Sequence, residues 1–256
     1  MPPVVPVAAA TILMLRDDPT GLQVFMVVRH HQIDFASGAL VFPGGKIDPG
    51  DYDARGYCTH ADNINNEELA LQVGAIREAF EECGILLARD ETAELIVGTR
   101  LSRLEGLRTQ LNKNEISIGE FLRGEKLILA CDLLQHFAHW VTPTIMPKRF
   151  DTHFYLAKAP EDHIAMHDGH ESVDSIWISP QDVLKGAKEG KYTVILPTRL
   201  NVEMLGQSKT VDEAMNMAKD RTIVTVEPWI DNRDGVKYLC IPSDAGYAIS
   251  EERMES

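Results

Sequence analysis

The sequence is poor in cysteine, and its cysteines form no recognisable pairs. The four among 256 residues lie far apart without a C-x-x-C motif: Cys58, Cys83, Cys131 and Cys240. Zinc knuckles and small disulfide-stapled domains need clustered cysteines. We therefore exclude both classes and predict a protein of a reducing compartment, the cytoplasm.

Positive charge is scarce, and no apolar run is long. Lys and Arg number 25 against 39 Asp and Glu, which gives a formal net charge of −14 without any Lys/Arg-rich segment. Such a chain repels polyanions, so nucleic acid is excluded as a partner. A membrane span needs roughly 18 consecutive apolar residues, so no membrane partner is predicted. A secretory signal has basic residues before its apolar segment. Here no basic residue precedes the apolar residues 4–15, and the first one, Arg16, follows them, which argues against such a signal.

The spacing of apolar residues predicts strands and helices in irregular order. Intervals of three and four predict a helix that starts near Glu67, capped by Asn65 or Asn66, and ends at Gly84. Further helices are predicted at 103–112, 117–123, 180–189 and 202–219, and strands at 8–15, 24–29, 140–144, 152–156, 175–178, 222–226 and 236–241. Because this order lacks a regular βαβ alternation, we predict an α+β class with a sheet between helices.

The length predicts one main core, since single cores stop growing near ~250 to 300 residues. We predict a single domain over residues 1–256 with three additions. Residues 52–66 are predicted to form an exposed insertion, because they are polar and lack periodicity. Residues 100–130 form a predicted helical insertion, and residues 197–256 a C-terminal extension that enlarges the core or forms a homodimer surface.

The predicted helix presents a face of carboxylates. At about 100° per residue, Glu78, Glu81 and Glu82 fall within an arc of roughly 100°, opposite the apolar stripe. The face is either an ordinary solvated one, with Arg77 paired to Glu81, or a site for a divalent cation. Such a cation would offset the repulsion between the three carboxylates. A glycine pair ending at Gly45 favours the cation, because glycine lets a backbone carbonyl approach it closely. Mg²⁺ prefers such oxygen ligands together with substrate phosphates.

Two segments resemble the signature of the Nudix hydrolase family. Residues 77–85, with the letters REAFEECGI, match the second half of the Nudix box, and residues 42–51, FPGGKIDPGD, match the first half. Asp51 stands where the family usually has Glu, and an insertion separates it from the helix. The resemblance implies the Nudix fold, a mixed β-sheet sandwiched between α-helices, and hydrolysis of a diphosphate linkage.

The resemblance also implies a site for Mg²⁺ or Mn²⁺. The implied ligands are Gly45, Glu78, Glu81, Glu82 and Glu171. The implied catalytic residues are the three glutamates of the helix together with Arg77, which would orient the carboxylates. The general base stays open among the three glutamates.

A longer resemblance connects the chain with the coenzyme A diphosphatase-like branch of the family. It depends on the insertion inside the box and on residues 140–143 and 148–152, with the letters WVTP and KRFDT. The implied substrate is coenzyme A or acyl-coenzyme A, and next ADP-ribose or a dinucleotide. The basic residues that either contact its phosphates or lie as solvated surface cations are Arg29, Lys46, Lys148 and Arg149.

Other residues have a plainer interpretation. Aromatic residues that either pack in the core or stack on an adenine ring are Trp140, Phe150 and Phe154. Histidines interpreted as surface residues rather than as a zinc site are His30, His31, His167 and His170. The alternative of another class is a Nudix domain that senses a nucleotide without cutting it. Such domains usually lack a box glutamate, whereas this sequence has all three.

Overall fold

The structure, a computed structural model, describes residues 4–29, 39–160 and 172–254. The strands are β1 (Val7–Asp18), β2 (Gly21–Arg29), β3 (Leu40–Val41), β4 (Gly44–Lys46), β5 (Ala88–Arg89), β6 (Ile128–Leu129), β7 (Gln135–Val141), β8 (Phe150–Lys158), β9 (Ser172–Ile178), β10 (Thr225–Val226), β11 (Trp229–Arg233), β12 (Val236–Cys240) and β13 (Glu251–Arg253). The helices are α1 (Pro49–Tyr52), α2 (Asn66–Cys83), α3 (Gly98–Ser102), α4 (Glu105–Asn112), α5 (Ile118–Glu125), α6 (Pro180–Lys188), α7 (Leu196–Leu205) and α8 (Val211–Asp220). Short 3₁₀ turns span Ala54–Tyr57, Ala61–Asn63 and Cys131–Leu133.

The central sheet is mixed and is organised around the long strand β1. The strand order is β10-β7-β8-β1-β2-β3, with β4 also paired to β1 and β9 to β2. On one edge β1 runs parallel to β8 along its length. On its other edge it pairs first with β4, where Ala10 lies opposite Gly45, and then with β2, where Leu15 lies opposite Val24. The glycine pair is therefore held beside the start of β1.

Alternation along the central strands builds an apolar layer on each face of the sheet. In β1, Ile12 and Met14 belong to the layer that includes α2, α4 and α5. Leu13 and Leu15 belong to the opposite layer, with α6, α7 and α8. The predicted sandwich of a mixed sheet between helices is confirmed.

Helix α2 begins and ends where the sequence predicts. The Asn65 side chain accepts a hydrogen bond from the Glu68 N–H at 2.7 Å and caps the first turn. Gly84 ends the helix with a left-handed φ of +70°, a conformation that costs glycine little. Within the described parts of the chain, no helix is long and apolar enough to cross a bilayer.

Residues 202–219, predicted as one helix, belong to two helices. Helix α7 ends at Leu205, and α8 begins after Thr210, whose hydroxyl accepts a hydrogen bond from the Glu213 N–H at 3.2 Å. The prediction of one helix is wrong because apolar spacing of three and four continues across the break. Such spacing does not reveal that Thr210 caps a new helix.

The polar stretch that was predicted as an exposed insertion is partly buried. Ala54, near the start of the stretch, is fully buried. The Arg55 guanidinium donates to the carbonyl of Ile64 at 3.0 Å and to that of Ala61. The stretch lacks a regular apolar period because it consists of short turns, which these hydrogen bonds hold and which pack against the layer that includes α2.

Candidate active site

Strand β4 and helix α2 meet where two glycines face two glutamates. The Gly44 N–H donates to Glu82 Oε2 at 3.1 Å. A Cβ on Gly45 would lie 2.4 Å from Glu78 Oε1, and one on Gly44 would lie 2.4 Å from the Ala10 carbonyl oxygen. Any larger residue at either position would have to displace a carboxylate or the neighbouring strand. The two glycines therefore let the loop backbone lie directly against the carboxylates.

Arg77 is the central cation of the site and is almost fully buried. Its Nε and Nη2 donate to the two oxygens of Asp51 at 2.9 and 3.0 Å. Its Nη1 donates to Glu78 and Glu81, each at 3.0 Å, and Nη2 donates to the Lys46 carbonyl at 2.8 Å. One guanidinium thus joins β4, α1 and α2 and holds two glutamates in place.

Asp51 is the site residue whose role the sequence left open. It sits in α1, where its Oδ2 also accepts from the Asp48 N–H at 2.8 Å. Burial raises the pKa of Asp51, while the hydrogen bonds and charge of Arg77 lower it. Asp51 is one methylene shorter than the usual Glu, yet it reaches Arg77. Close packing helps, since a Cβ on Gly74 of α2 would lie 3.1 Å from Asp51 Oδ2. The motif position was the available signal for this ion pair.

The carboxylates are crowded and poorly hydrated. Side-chain exposure is 13% for Glu78 and 12% for Glu81, and Glu82 is buried. Burial raises the pKa of Glu81 to about 7, against the lowering effect of Arg77 and with the charge of Asp51 raising it further. A divalent cation among these oxygens would offset the cost of the crowded negative charge. The carboxylate oxygens, beside a glycine backbone without side chains, suit a hard cation such as Mg²⁺ or Mn²⁺.

The predicted phosphate-binding cations have different positions. The Lys46 side chain is exposed on β4, directly after Gly45. Arg149 is buried, and its guanidinium donates to the carbonyls of Thr142 and Val4 at 2.9 and 2.7 Å and to Glu227 at 2.7 Å. Its prediction as an accessible phosphate ligand is corrected here, because its donors tie the start of the chain to the sheet.

Several predicted residues lie outside the part of the chain that the structure describes. Arg29 ends β2, and the description of the chain there does not extend to its side chain. The other residues outside the described ranges are Glu171, His30, His31, His167 and His170.

Among the aromatic candidates, Trp140 and Phe154 pack in the layer opposite α2, and the Trp140 N–H donates to the Tyr247 hydroxyl at 2.8 Å. Core packing accounts for both.

Known proteins share this fold and this sequence pattern. A Nudix hydrolase from Alicyclobacillus acidocaldarius superposes with a TM-score of 0.73 at 27% identity, covering 83% of this chain and 96% of that one. The acyl-coenzyme A diphosphatase NUDT19 of Xenopus laevis is 22% identical over 91% of this chain and 73% of its own length. The human protein of the same name is 26% identical over 74% of this chain and 54% of its own length.

The fold is that of a Nudix hydrolase, so the predicted fold and enzyme class are confirmed. Residues 57–204, more than half of the chain, match the model of the NUDT19 Nudix domain family. The chain belongs to this family.

Proposed function

We propose that this chain hydrolyses the diphosphate linkage of coenzyme A or an acyl-coenzyme A with the help of Mg²⁺ or Mn²⁺. The observation that carries the proposal is the cluster of Glu78, Glu81 and Glu82 on α2. Glu78 lies against Gly45, Glu82 accepts from the Gly44 N–H, and Arg77 holds Glu78 and Glu81. The substrate class is supported by the relatives named acyl-coenzyme A diphosphatase, one of which matches 91% of the chain.

The cation would be held by oxygen ligands. We assign it to the carboxylates of Glu78, Glu81 and Glu82 and to the carbonyl of Gly45. When bound, Mg²⁺ or Mn²⁺ supplies Lewis-acid stabilisation of the charge that develops on the phosphate oxygens. The prediction that Glu171 adds a further carboxylate stays a prediction.

The protein side chains would position the reaction. Arg77 keeps Glu78 and Glu81 in a fixed orientation, since it donates to both at 3.0 Å while Asp51 anchors it. Water adds across the P–O–P bond, which gives two phosphate monoesters. One of the three glutamates accepts the proton of the attacking water, and we assign that role to them jointly.

Cations of the chain would offset the remaining phosphate charge. Lys46 is the best-supported candidate, because its side chain is exposed on the residue that follows Gly45. Arg29 and Lys148 stay predicted phosphate ligands. The lysine ammonium is a compact charge that does not itself fix the orientation of a phosphate group. It therefore suits a diphosphate that the proposed Mg²⁺ or Mn²⁺ ion would orient.

Turnover of defined substrates tests the proposal. The purified chain is incubated with coenzyme A, acetyl-coenzyme A, ADP-ribose, NADH or nucleoside triphosphates, with Mg²⁺, Mn²⁺ or neither, and products are identified by chromatography and mass spectrometry. We expect metal-dependent cleavage of the coenzyme A substrates, and Glu82→Gln should lower it at least about 100-fold. Glu94→Gln, a change at an exposed position away from the site, is the matched control and should leave turnover unchanged.

The other outcomes separate the alternatives. Preferred cleavage of ADP-ribose or NADH would contradict coenzyme A as the substrate but would support the proposed diphosphate hydrolysis. Metal-dependent binding of a nucleotide without turnover would favour the sensing domain instead. Cleavage that survives Glu82→Gln would remove the carboxylate cluster from the proposal.

Two further predictions concern the protein as a whole. A cytoplasmic location is tested by fractionating cells that express the chain, with recovery in a membrane-bound organelle as the contrary result. Homodimer formation is tested by light scattering of the purified chain, with a monomer mass as the contrary result.

A further inference from the structure

A second cluster of potential metal ligands lies on the central sheet, outside the carboxylate site. It consists of His139 on β7 with Asp151 and His153 on β8. His139 and His153 are direct cross-strand partners. His153 also lies opposite Ala10, whose other neighbour is Gly45. His153, Ala10 and Gly45 are therefore neighbours across three adjacent strands. His153 and Gly45 are two strand spacings, about 10 Å, apart.

The ligand atoms of the three side chains converge. His139 Nε2 contacts Asp151 Oδ1, and His153 Nε2 lies 3.9 Å from the same oxygen. One ligand atom from each residue can be chosen so that all lie within 4.8 Å of one another. Neighbouring ligands of a tetrahedral Zn²⁺ ion with bonds of about 2.0 Å are roughly 3.3 Å apart. Side-chain rotations would therefore bring the three ligand atoms to the spacing of three tetrahedral positions.

The contacts of His153 are compatible with metal binding through Nε2. His153 Nδ1 and His136 Nε2 are 3.1 Å apart, so one of them carries the shared proton. When His153 Nδ1 is the donor, its Nε2 keeps a lone pair that can bind a metal ion.

His139 is supported in the same way by a residue of a third strand. Its Nδ1 lies 2.8 Å from Thr225 Oγ1 of β10. A hydroxyl can accept a proton from Nδ1 or donate one to it. Thr225 therefore allows His139 Nε2 either to donate to Asp151 without a metal ion or to offer its lone pair to one. Metal-binding histidines characteristically have such an outer hydrogen-bond partner.

We propose that His139, Asp151 and His153 form a binding site for a zinc-type transition-metal ion, separate from the carboxylate site on α2. Two imidazole nitrogens and one carboxylate oxygen are a ligand set that suits Zn²⁺ and not Mg²⁺, which prefers oxygen. The fourth position of a tetrahedral ion would be open to water or to an anionic ligand. The ion would join β7 to β8, with β10 attached through Thr225.

Metal titration of the whole chain tests the site. Tag-free protein is treated with a chelator and then titrated with Zn²⁺ in competition with a chromophoric chelator, and with Co²⁺ while its visible d–d absorption is recorded. We expect one equivalent of tight binding and a tetrahedral Co²⁺ spectrum. His153→Gln and Asp151→Asn should each weaken binding at least about 100-fold, at or above the top of the 10–100-fold range for loss of an outer partner.

Controls separate this site from folding defects and from the proposed hydrolase site. His60→Asn changes a histidine outside the cluster at a left-handed φ of +64°, which Asn tolerates, and should bind Zn²⁺ normally. Circular dichroism and thermal melting check each variant. Asp151 is 42% exposed, so Asp151→Asn is expected to fold. Glu82→Gln should keep Zn²⁺ binding, so the two sites can fail independently.

The result against the site is equally definite. No stoichiometric binding of Zn²⁺ or Co²⁺, or binding that either folded ligand variant retains in full, would overturn the three-ligand assignment. The cluster would then be a set of stacked and hydrogen-bonded rings between strands.

Discussion

The carboxylate site on α2 and the histidine cluster on β7 and β8 are assembled in different ways. Glu78, Glu81 and Glu82 come from one helix, so their relative positions follow from the helical period alone. His139 and His153 meet only because β7 pairs with β8 in one register. A slip by one residue would turn one of the two to the other face of the sheet. Helical spacing is therefore visible in a sequence, whereas cross-strand neighbours are not.

The two regions also differ in how their charge is balanced. In the first, the buried Arg77 is surrounded by Asp51, Glu78 and Glu81. In the second, the half-buried Asp151 contacts His139 and lies near His153. The first region depends on a permanent buried cation, and the second on rings that can be neutral or charged. Substitutions can test whether the two regions are independent.

The largest expected effect comes from removing the anchor of Arg77. Asp51→Ala leaves a buried guanidinium without its bidentate partner and should lower the free energy of unfolding by about 3 kcal/mol. The matched control is Asp231→Ala, which breaks an exposed pair with Arg233 and should cost less than about 1 kcal/mol. Urea denaturation measures both. Equal losses would mean that the buried ion pair is not a main support of the site.

A methyl group at the glycine loop should have the next largest effect. In Gly45→Ala the new Cβ would lie 2.4 Å from Glu78 Oε1, so the carboxylate must move. A displacement of this size should lower metal-dependent turnover about 100-fold. Gly106→Ala in α4 meets nothing within 4 Å and serves as the control. Zn²⁺ binding should stay unchanged in both, and its loss in Gly45→Ala would show that the two regions are coupled.

A smaller effect is expected at the outer partner of the histidine cluster. Thr225→Val removes the hydroxyl that supports His139 and should weaken Zn²⁺ binding roughly tenfold. Turnover of the proposed substrate should be unaffected, because three strands, β7, β8 and β1, lie between the hydroxyl on β10 and β4. Competition titration and the substrate assay give the two readouts. A parallel loss of turnover would contradict independent sites.

The smallest effect concerns the start of α2. Asn65→Ala removes the cap of the Glu68 N–H and should cost about 1 kcal/mol of folding stability. Thr210→Ala removes the equivalent cap of α8 and should cost about as much. Thermal unfolding compares the two. A loss of folding stability several times larger for Asn65→Ala than for Thr210→Ala would show that Asn65 stabilises the fold by more than helix capping.

Sequence reasoning succeeded where a pattern is local. The helix that begins after Asn65 and stops at Gly84 needed only apolar spacing and two terminal residues. The glycine pair was also visible, although its physical reason, the close approach of Glu78 to Gly45, was not. Reasoning failed at Arg149, because a basic residue in a loop looks the same in a sequence whether it meets solvent or buried carbonyls.

The sequence by itself determined the carboxylate face, the glycine loop and the helical period that aligns them, because each depends on residues close together in the chain. Only the tertiary structure decided that Asp51 anchors Arg77, that residues 202–219 divide into two helices, and that His139 meets His153. These facts depend on burial, capping and strand register. Each of them is a relation between segments, and a list of residues in chain order does not contain it.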